Sequence, residues 1–352
     1  MVNGAPRLPF CGGSLIHREL RLGEAHRMRV LVTGAAGFIG FHVAQALLAR
    51  GDEVLGIDNL NDYYDVGLKQ ARLHQLTSHA NFTFHKINIA NRDQMQSLAV
   101  SDVTHVAHLA AQAGVRYSLQ NPYAYVESNL MGQVVMLEVA RQMPKLQHFV
   151  YASSSSVYGG NEKVPFAVDD PVERPVSLYA ATKRADELMT WTYAHLYKLP
   201  ATGLRFFTVY GPWGRPDMAY YHFTKQILAG EPITIFNHGA MRRDFTYIDD
   251  IVQGVLAALE HPPIARDGQP PTRLYNLGNS KAEKLMDFVA ALEAALGKKA
   301  IYDFQPMQPG DVSETFADIS ASTRDLGFQP HTRIEEGLAK FVAWYRSFHC
   351  GA

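Results

Sequence analysis

The chain has 352 residues, 47% hydrophobic and 19% charged, with a formal net charge of −1. That length buries a substantial core, and the near-neutral balance gives no electrostatic reason to expect a nucleic acid or an anionic membrane as partner. The only two cysteines, Cys11 and Cys350, lie near the ends, which suits a reducing compartment and argues against a disulfide framework.

Residues 1–27 carry Pro, Gly and Arg without a sustained apolar run, and they read as a disordered extension rather than a signal peptide or anchor. From Met28 the texture alternates. RVLVTG is a strand, and FIGFHVAQALLAR is a helix closed by Gly51. EVLGIDN (strand), DVGLKQARLHQL (helix) and NFTFHKINIA (strand) come after it. Next are THVAHLAA as strand, a long helix through NPYAYVESNLMGQVVMLEVARQM, and HFVYASS as strand. SLYAATKRADELMTWTYAHLYKL is helical and ATGLRFFTVYG is a strand. Strands alternating with helices of this length mean an α/β fold, a doubly wound parallel sheet of Rossmann type. After GPWGRPDM the shorter strands PITIF and RLYNLG, the turn cluster EHPPIARDGQPP and two more helices suggest a smaller C-terminal α/β lobe that binds substrate. The expected division is 28–205 for a dinucleotide and 206–352 mainly for the substrate, with an interleaved boundary and the ligand between them. No window is apolar enough for a membrane span, and a soluble cytoplasmic protein is expected. The fifteen histidines are scattered, and His105 and His108 lack an acidic or thiol companion at ligand spacing, so no metal site is expected.

Thr33-Gly34-Ala35-Ala36-Gly37-Phe38-Ile39-Gly40 comes directly after the first strand and opens the first helix. Glycine lets a pyrophosphate approach the backbone, and the helix N-terminus offers it N–H groups and a positive dipole. Asp58 ends the second strand eighteen residues past Gly40. A carboxylate there accepts hydrogen bonds from both ribose hydroxyls and repels a 2′-phosphate, favouring NAD over NADP. The plain alternative is a tight turn with a capping acid.

Tyr179 and Lys183 lie four apart on a helix and share a face. An ammonium beside a phenol favours the phenolate, a usable general base. A second match, Tyr221 to Lys225, lacks a preceding serine strand and reads as a chance surface pair. In YASSSSVYGG four serines leave a strand just upstream, and alternation puts Ser154 and Ser156 on one side. Here the plain alternative is a strand exit capping its own backbone.

The GxxGxxG spacing together with YxxxK resembles the extended short-chain dehydrogenase/reductase superfamily, in its NAD-dependent epimerase/dehydratase family. By that resemblance the catalytic hydroxyl, three residues before the valine of VYG, is Ser154, acting with Tyr179 and Lys183. Family members that dehydrate a sugar carry an Asp-Glu pair directly after this hydroxyl. Ser155 and Ser156 stand there instead and cannot shuttle protons as an acid pair near neutral pH. That leaves chiefly epimerisation through a ketone.

RFFTVYGPWGRPDMAYYHFTKQI, PITIFNHGAMRRDFTYIDDIVQG and MQPGDVSETFAD, with the front of the chain from Met28, closely resemble the UDP-glucuronate 4-epimerases. The resemblance runs to about Trp344 and implies a tightly held NAD, a UDP-sugar substrate, Tyr179 as base at the 4-hydroxyl, and a homodimer. It implies cofactor contacts at Gly34, Gly37, Phe38, Ile39, Gly40, Asp58, Asn59, Asn88, Ile89, Leu109, Ala110, Ala111, Asn129, Tyr179 and Lys183. Many relatives have Asp where Asn88 stands. A 4-ketone β to the C6 carboxylate loses CO₂ readily, so hydroxyls and an arginine must hold that carboxylate out of line with the carbonyl π-system. The resemblance puts Ser155 or Ser156, Thr208 and Arg215 in this role, adds Arg116 as a further substrate contact, and gives Arg243 to the UDP diphosphate. Surface ion pairs are the plain alternative for Arg116 and Arg215. A UDP-glucose 4-epimerase, another nucleotide-sugar epimerase or decarboxylase, and a non-catalytic NAD-binding regulator remain as rival readings.

Overall fold

The computed structural model describes residues 1, 27–308 and 312–351, so nearly all of the expected N-terminal extension, Cys11 included, lies outside the described residues. Among these, twelve strands occur in chain order: β1 (Arg29–Thr33), β2 (Glu53–Asp58), β3 (Phe82–Lys86), β4 (His105–His108), β5 (His148–Ser154), β6 (Ala201–Phe206), β7 (Thr208–Tyr210), β8 (Pro232–Ile235), β9 (Arg242–Tyr247), β10 (Thr272–Leu277), β11 (Ala282–Lys284) and β12 (Ile301–Phe304).

Seven of them form the expected sheet in the order β10-β6-β5-β4-β1-β2-β3, every neighbouring pair parallel. Because parallel strands need crossovers, helices cover both faces and the strands are buried on both sides. Val30 and Val32 belong to the core on one face, and Leu31, Leu55, Ile57 and Val106 to the core on the other. The strand order reverses between β1 and β4, which opens a crevice at their C-terminal ends.

Two features depart from the sequence reading. RLYNLG, expected in the second lobe, is β10 and extends the large sheet beside β6. The single strand expected over ATGLRFFTVYG breaks at Phe207, so that β6 stays in the large sheet while β7 pairs with β9. The chain therefore crosses from one half to the other and back. The helix Ile248–Glu260 also packs beside Phe38–Ala49 on the large sheet. The smaller half is built on β7, β9 and β11, with a separate β8–β12 pair.

The long helix expected through residues 121–143 is interrupted by a π-helical turn, Val126–Met131. Such a turn shifts the register of the helix beyond it, and π turns recur at functional sites. No helix among the described residues is long and apolar enough to cross a membrane.

Candidate active site

β1 delivers Thr33 to the reversal point. Its hydroxyl oxygen accepts the N–H groups of Leu109 (3.1 Å) and Ala110 (3.0 Å) and meets His108 Nδ1 at 2.8 Å, fastening β1 to the end of β4. The chain then turns through Gly34 at φ +72°, where a Cβ would come within 2.9 Å of the Ala110 amide nitrogen. A Cβ on Gly40 would overlap the Gly34 carbonyl oxygen. Glycine at both positions is thus what lets the helix start sit against the loop. At the end of β2, Asp58 accepts from Ala36 N (3.2 Å) and Leu60 N (2.8 Å), which fixes its carboxylate beside this loop. A glycine cradle at a helix N-terminus, with an acid fixed at the end of the next strand, fits a dinucleotide such as NAD.

Gly34, Gly37, Phe38, Ile39, Gly40, Asp58, Asn59, Asn88, Ile89, Leu109, Ala110 and Ala111 all line one cleft of about 390 Å³. Ser154, Tyr179, Lys183, Ser155, Ser156, Thr208 and Arg215 line it too. Residues distant in sequence thus share one cavity of the size that small ligands occupy. Asn88 reaches it with its side chain engaged, donating to Glu127 Oε1 (3.0 Å) and accepting from Ala90 N (3.0 Å).

The four serines all border the cleft but divide by partner. Ser153 is buried, and its hydroxyl is spent on Glu187 Oε1 at 2.6 Å. Ser154 faces the cleft, and its Oγ accepts from Ser156 N (3.2 Å) and meets Ser156 Oγ at 3.1 Å. Ser154 and Ser156 do share a side, but not by strand alternation. The strand ends at Ser154, which caps the 3₁₀ turn Ser155–Tyr158. Ser154 therefore caps its own backbone and fronts the cleft as well.

The helix Leu178–Tyr197 begins at the Ser177 cap, whose hydroxyl accepts from Ala180 N. Tyr179 sits in its first turn, half-buried, with its ring edge-on to Tyr125 at 6.0 Å. One turn on, Lys183 is buried and donates to the Ala152 carbonyl (2.9 Å) and Asp186 Oδ2 (3.0 Å). Burial pushes the Asp186 carboxyl up to about 6 against the pull of Lys183. Glu187 anchors the same helix to β6 through two bonds from buried Arg205, at 2.8 and 2.9 Å. Burial works to raise Glu187, but these bonds outweigh it and hold the carboxyl below its usual range.

Also lining the cleft, Arg215 forms a bidentate pair with Asp217, Nε to Oδ1 at 3.0 Å and Nη2 to Oδ2 at 2.6 Å, and Tyr63 Oη donates to Asp217 Oδ2 at 3.1 Å. Burial opposes ionisation of Asp217, yet Arg215 keeps its carboxyl below the usual range.

Three expected contacts stand outside the residues lining this cleft. Asn129 is buried in the π turn with its amide fully committed: Oδ1 accepts from Gln112 N (2.8 Å), and Nδ2 donates to Gln112 O (3.1 Å) and Thr182 Oγ1 (3.0 Å). It braces the β4 exit against the Tyr179 helix. Arg116 is exposed, with its guanidinium 4.5 Å from the centre of the Phe236 ring. Arg243 donates to the carbonyls of Arg242, Val312 and Ser313 at 2.9, 2.6 and 3.1 Å. Conversely, Asn61, Tyr63, Tyr64 and Lys69 line the cleft unforeseen. Lys69 is signalled only by a lysine at a core position of the helix Val66–Thr77. The second YxxxK match needs correction as well. Tyr221 is buried against the C-terminal helix and bonds His349 Nε2 at 2.5 Å, because its ring completes that packing.

Among the described residues, no group of three or more His, Cys, Asp or Glu side chains is placed to hold a metal ion. The glycine loop, the acid at β2 and the Ser–Tyr–Lys set define a dinucleotide-dependent enzyme of the short-chain dehydrogenase/reductase type. Residues 30–278 match the model of the NAD dependent epimerase/dehydratase family, and the chain belongs to that family. It is 54% identical over 334 residues to an uncharacterised 37.6 kDa protein of Escherichia coli O111:H-, covering 92% of this chain and 99% of that one. It is 49% identical over 344 residues to a UDP-glucuronate 4-epimerase of Arabidopsis thaliana, covering 95% of this chain and 78% of that one. The crystal structure of a Bacillus cereus UDP-glucuronic acid 4-epimerase in complex with UDP-glucuronic acid and NAD superposes with a TM-score of 0.84 at 36% identity, covering 92% of this chain and 100% of that one. The protein is an NAD-dependent enzyme of this family, similar to the nucleotide-sugar 4-epimerases.

Proposed function

We propose that the protein interconverts UDP-glucuronate and UDP-galacturonate through a transient 4-keto sugar, as a cytoplasmic homodimer. The observation that carries this reading is the composition of one cleft wall, where Ser155, Ser156, Thr208 and Arg215 accompany Ser154 and Tyr179. Three hydroxyls and a guanidinium suit a carboxylate on the sugar. No acid pair comes after Ser154, which removes the machinery for dehydration.

The glycine loop and Asp58 would hold NAD, which would supply the hydride acceptor for C4 and the hydride donor for the other face of the ring. Tyr179 takes the 4-hydroxyl proton and gives it back after the ketone has turned over. Lys183, pinned by the Ala152 carbonyl and Asp186, supplies the positive charge that favours the phenolate. Ser154 donates to the reacting oxygen, its position set by the cap to Ser156 N. Arg215 spends Nε and Nη2 on Asp217, so Nη1 is the donor assigned to the substrate carboxylate. A carboxylate held there and by the hydroxyls keeps the C5–C6 bond out of line with the ketone and so suppresses loss of CO₂. Arg243 is assigned to the diphosphate and Arg116 to a further substrate contact, although neither is among the residues that line the cleft. Trp191 and Leu188 on the catalytic helix, with Tyr123 and Val126 on the neighbouring turns, are exposed apolar residues suited to a second copy.

The test is discrimination. A charge-assisted bond contributes about 1.5–3 kcal/mol, so Arg215→Ala should weaken UDP-glucuronate binding about 10- to 100-fold. UDP-glucose affinity should change little. Equal losses for both sugars by calorimetry would sink the carboxylate assignment.

A further inference from the structure

Arg72, on the helix Val66–Thr77, is 0% exposed and lies between the glycine loop and the turn that leads into Arg215. All five of its N–H donors are spent on neutral oxygens. Nη1 donates to the Ala36 carbonyl at 2.9 Å and to Tyr64 Oη at 2.8 Å. Nε and Nη2 both donate to the Trp213 carbonyl, at 3.0 and 2.6 Å, and Nη2 also reaches the Gly214 carbonyl at 3.0 Å. Ala36 belongs to the loop that faces the cofactor, and Trp213 and Gly214 directly precede Arg215. One planar group fastens the two together.

That turn needs fastening. Trp213 sits at φ +59°, a left-handed conformation costly for a bulky side chain. Its indole packs on Phe41, Trp344 and Phe348, with ring centroids 5.7, 5.2 and 5.0 Å away. His42 Nε2–H donates to the Pro212 carbonyl at 3.0 Å. Three successive carbonyls, 212 to 214, are therefore anchored on the dinucleotide-binding half.

We propose that Arg72 is a positioning residue for the reaction, locking the turn that aims Arg215 to the loop that holds the cofactor, so that the sugar is presented in register. This rests on the reading that Arg215 meets the substrate. Lysine cannot replace it, because three donors around one point cannot span acceptors that a planar fork reaches on two loops.

The experiment is a double-mutant cycle on NAD-loaded protein, comparing Arg72→Lys, Arg72→Met, Arg215→Ala and the Arg72→Met/Arg215→Ala pair for kcat, KM and NAD content. A misplacement of about 1 Å costs about a hundredfold, so both Arg72 variants should lose about that much in kcat/KM. In the Arg215→Ala background the Arg72→Met loss should nearly vanish, which a merely structural role would not produce. Full additivity overturns the proposal, as does wild-type activity in Arg72→Lys. If the Arg72 variants do not fold, Tyr64→Phe removes one acceptor and keeps the guanidinium. It should lose about tenfold by the same geometric sensitivity, again only when Arg215 is present; unchanged rates overturn the proposal. Wild-type protein that binds no UDP-glucuronate refutes the functional reading alone. The cycle is then read on whichever UDP-sugar is turned over, where additivity still decides the role of Arg72.

Discussion

Ser153 and Ser154 are adjacent on β5 with opposite duties, and replacing each by alanine should separate them. Ser153 Oγ donates to Glu187 Oε1 at 2.6 Å, where both residues are buried. A hydrogen bond to a charged group contributes about 1.5–3 kcal/mol. Glu187 would keep its two bonds from Arg205 and one from Arg184, so the cost stays below the roughly 3–5 kcal/mol of breaking a buried ion pair outright. Ser153→Ala should therefore lower the unfolding free energy by about 2 kcal/mol with kcat unchanged. Ser154→Ala removes the cap on Ser156 N, worth about 1 kcal/mol, and the donor proposed for the reacting oxygen, worth about 10²–10³ in kcat. Urea unfolding of NAD-saturated protein and initial rates on the same preparations separate the two. If Ser153→Ala slows turnover as much as Ser154→Ala, the division of the serine run is wrong.

The pH dependence of stability has a definite sign. Burial lowers His42, His105 and His148 to about 4 and His108 to about 3, so the unfolded chain binds their protons first as pH falls below 6.5. Asp186 and Asp244, raised to about 6 by burial, act in the opposite sense. From these groups a net of about two protons remains, at about 1.4 kcal/mol per pH unit each. The urea midpoint should thus rise from pH 4 to pH 6, and a flat or falling profile would refute the balance. Trp191→Glu places a charge in the exposed apolar patch of the catalytic helix. It should convert the proposed dimer to a monomer in analytical ultracentrifugation, whereas an unchanged sedimentation coefficient would overturn this choice of interface.

The sequence made the large sheet legible because strand and helix periods differ and each crossover has its own turn signals. The glycine loop was legible because Gly34 and Gly40 sit where no other residue fits. What stayed hidden depends on long-range pairing. Nothing local marks RLYNLG as the outer strand of the large sheet rather than a strand of the small lobe. Asn129 carries the composition of a ligand-binding amide, and only the fold reveals that its partners are Gln112 and Thr182. Arg72 reads as an ordinary helix residue, and its carbonyl acceptors lie 36, 141 and 142 residues away. The serine run was half legible: its location was plain, but the 3₁₀ turn that redirects Ser155 and Ser156 was not.

The most direct test of the central claim is proton NMR of the purified protein with UDP-glucuronate and no added cofactor, run to equilibrium and repeated from UDP-galacturonate. The account predicts that both runs converge on one mixture with no CO₂ released, carried by NAD that co-purifies. UDP-glucuronate left untouched while UDP-glucose and UDP-galactose interconvert would contradict the assignment of Thr208 and Arg215.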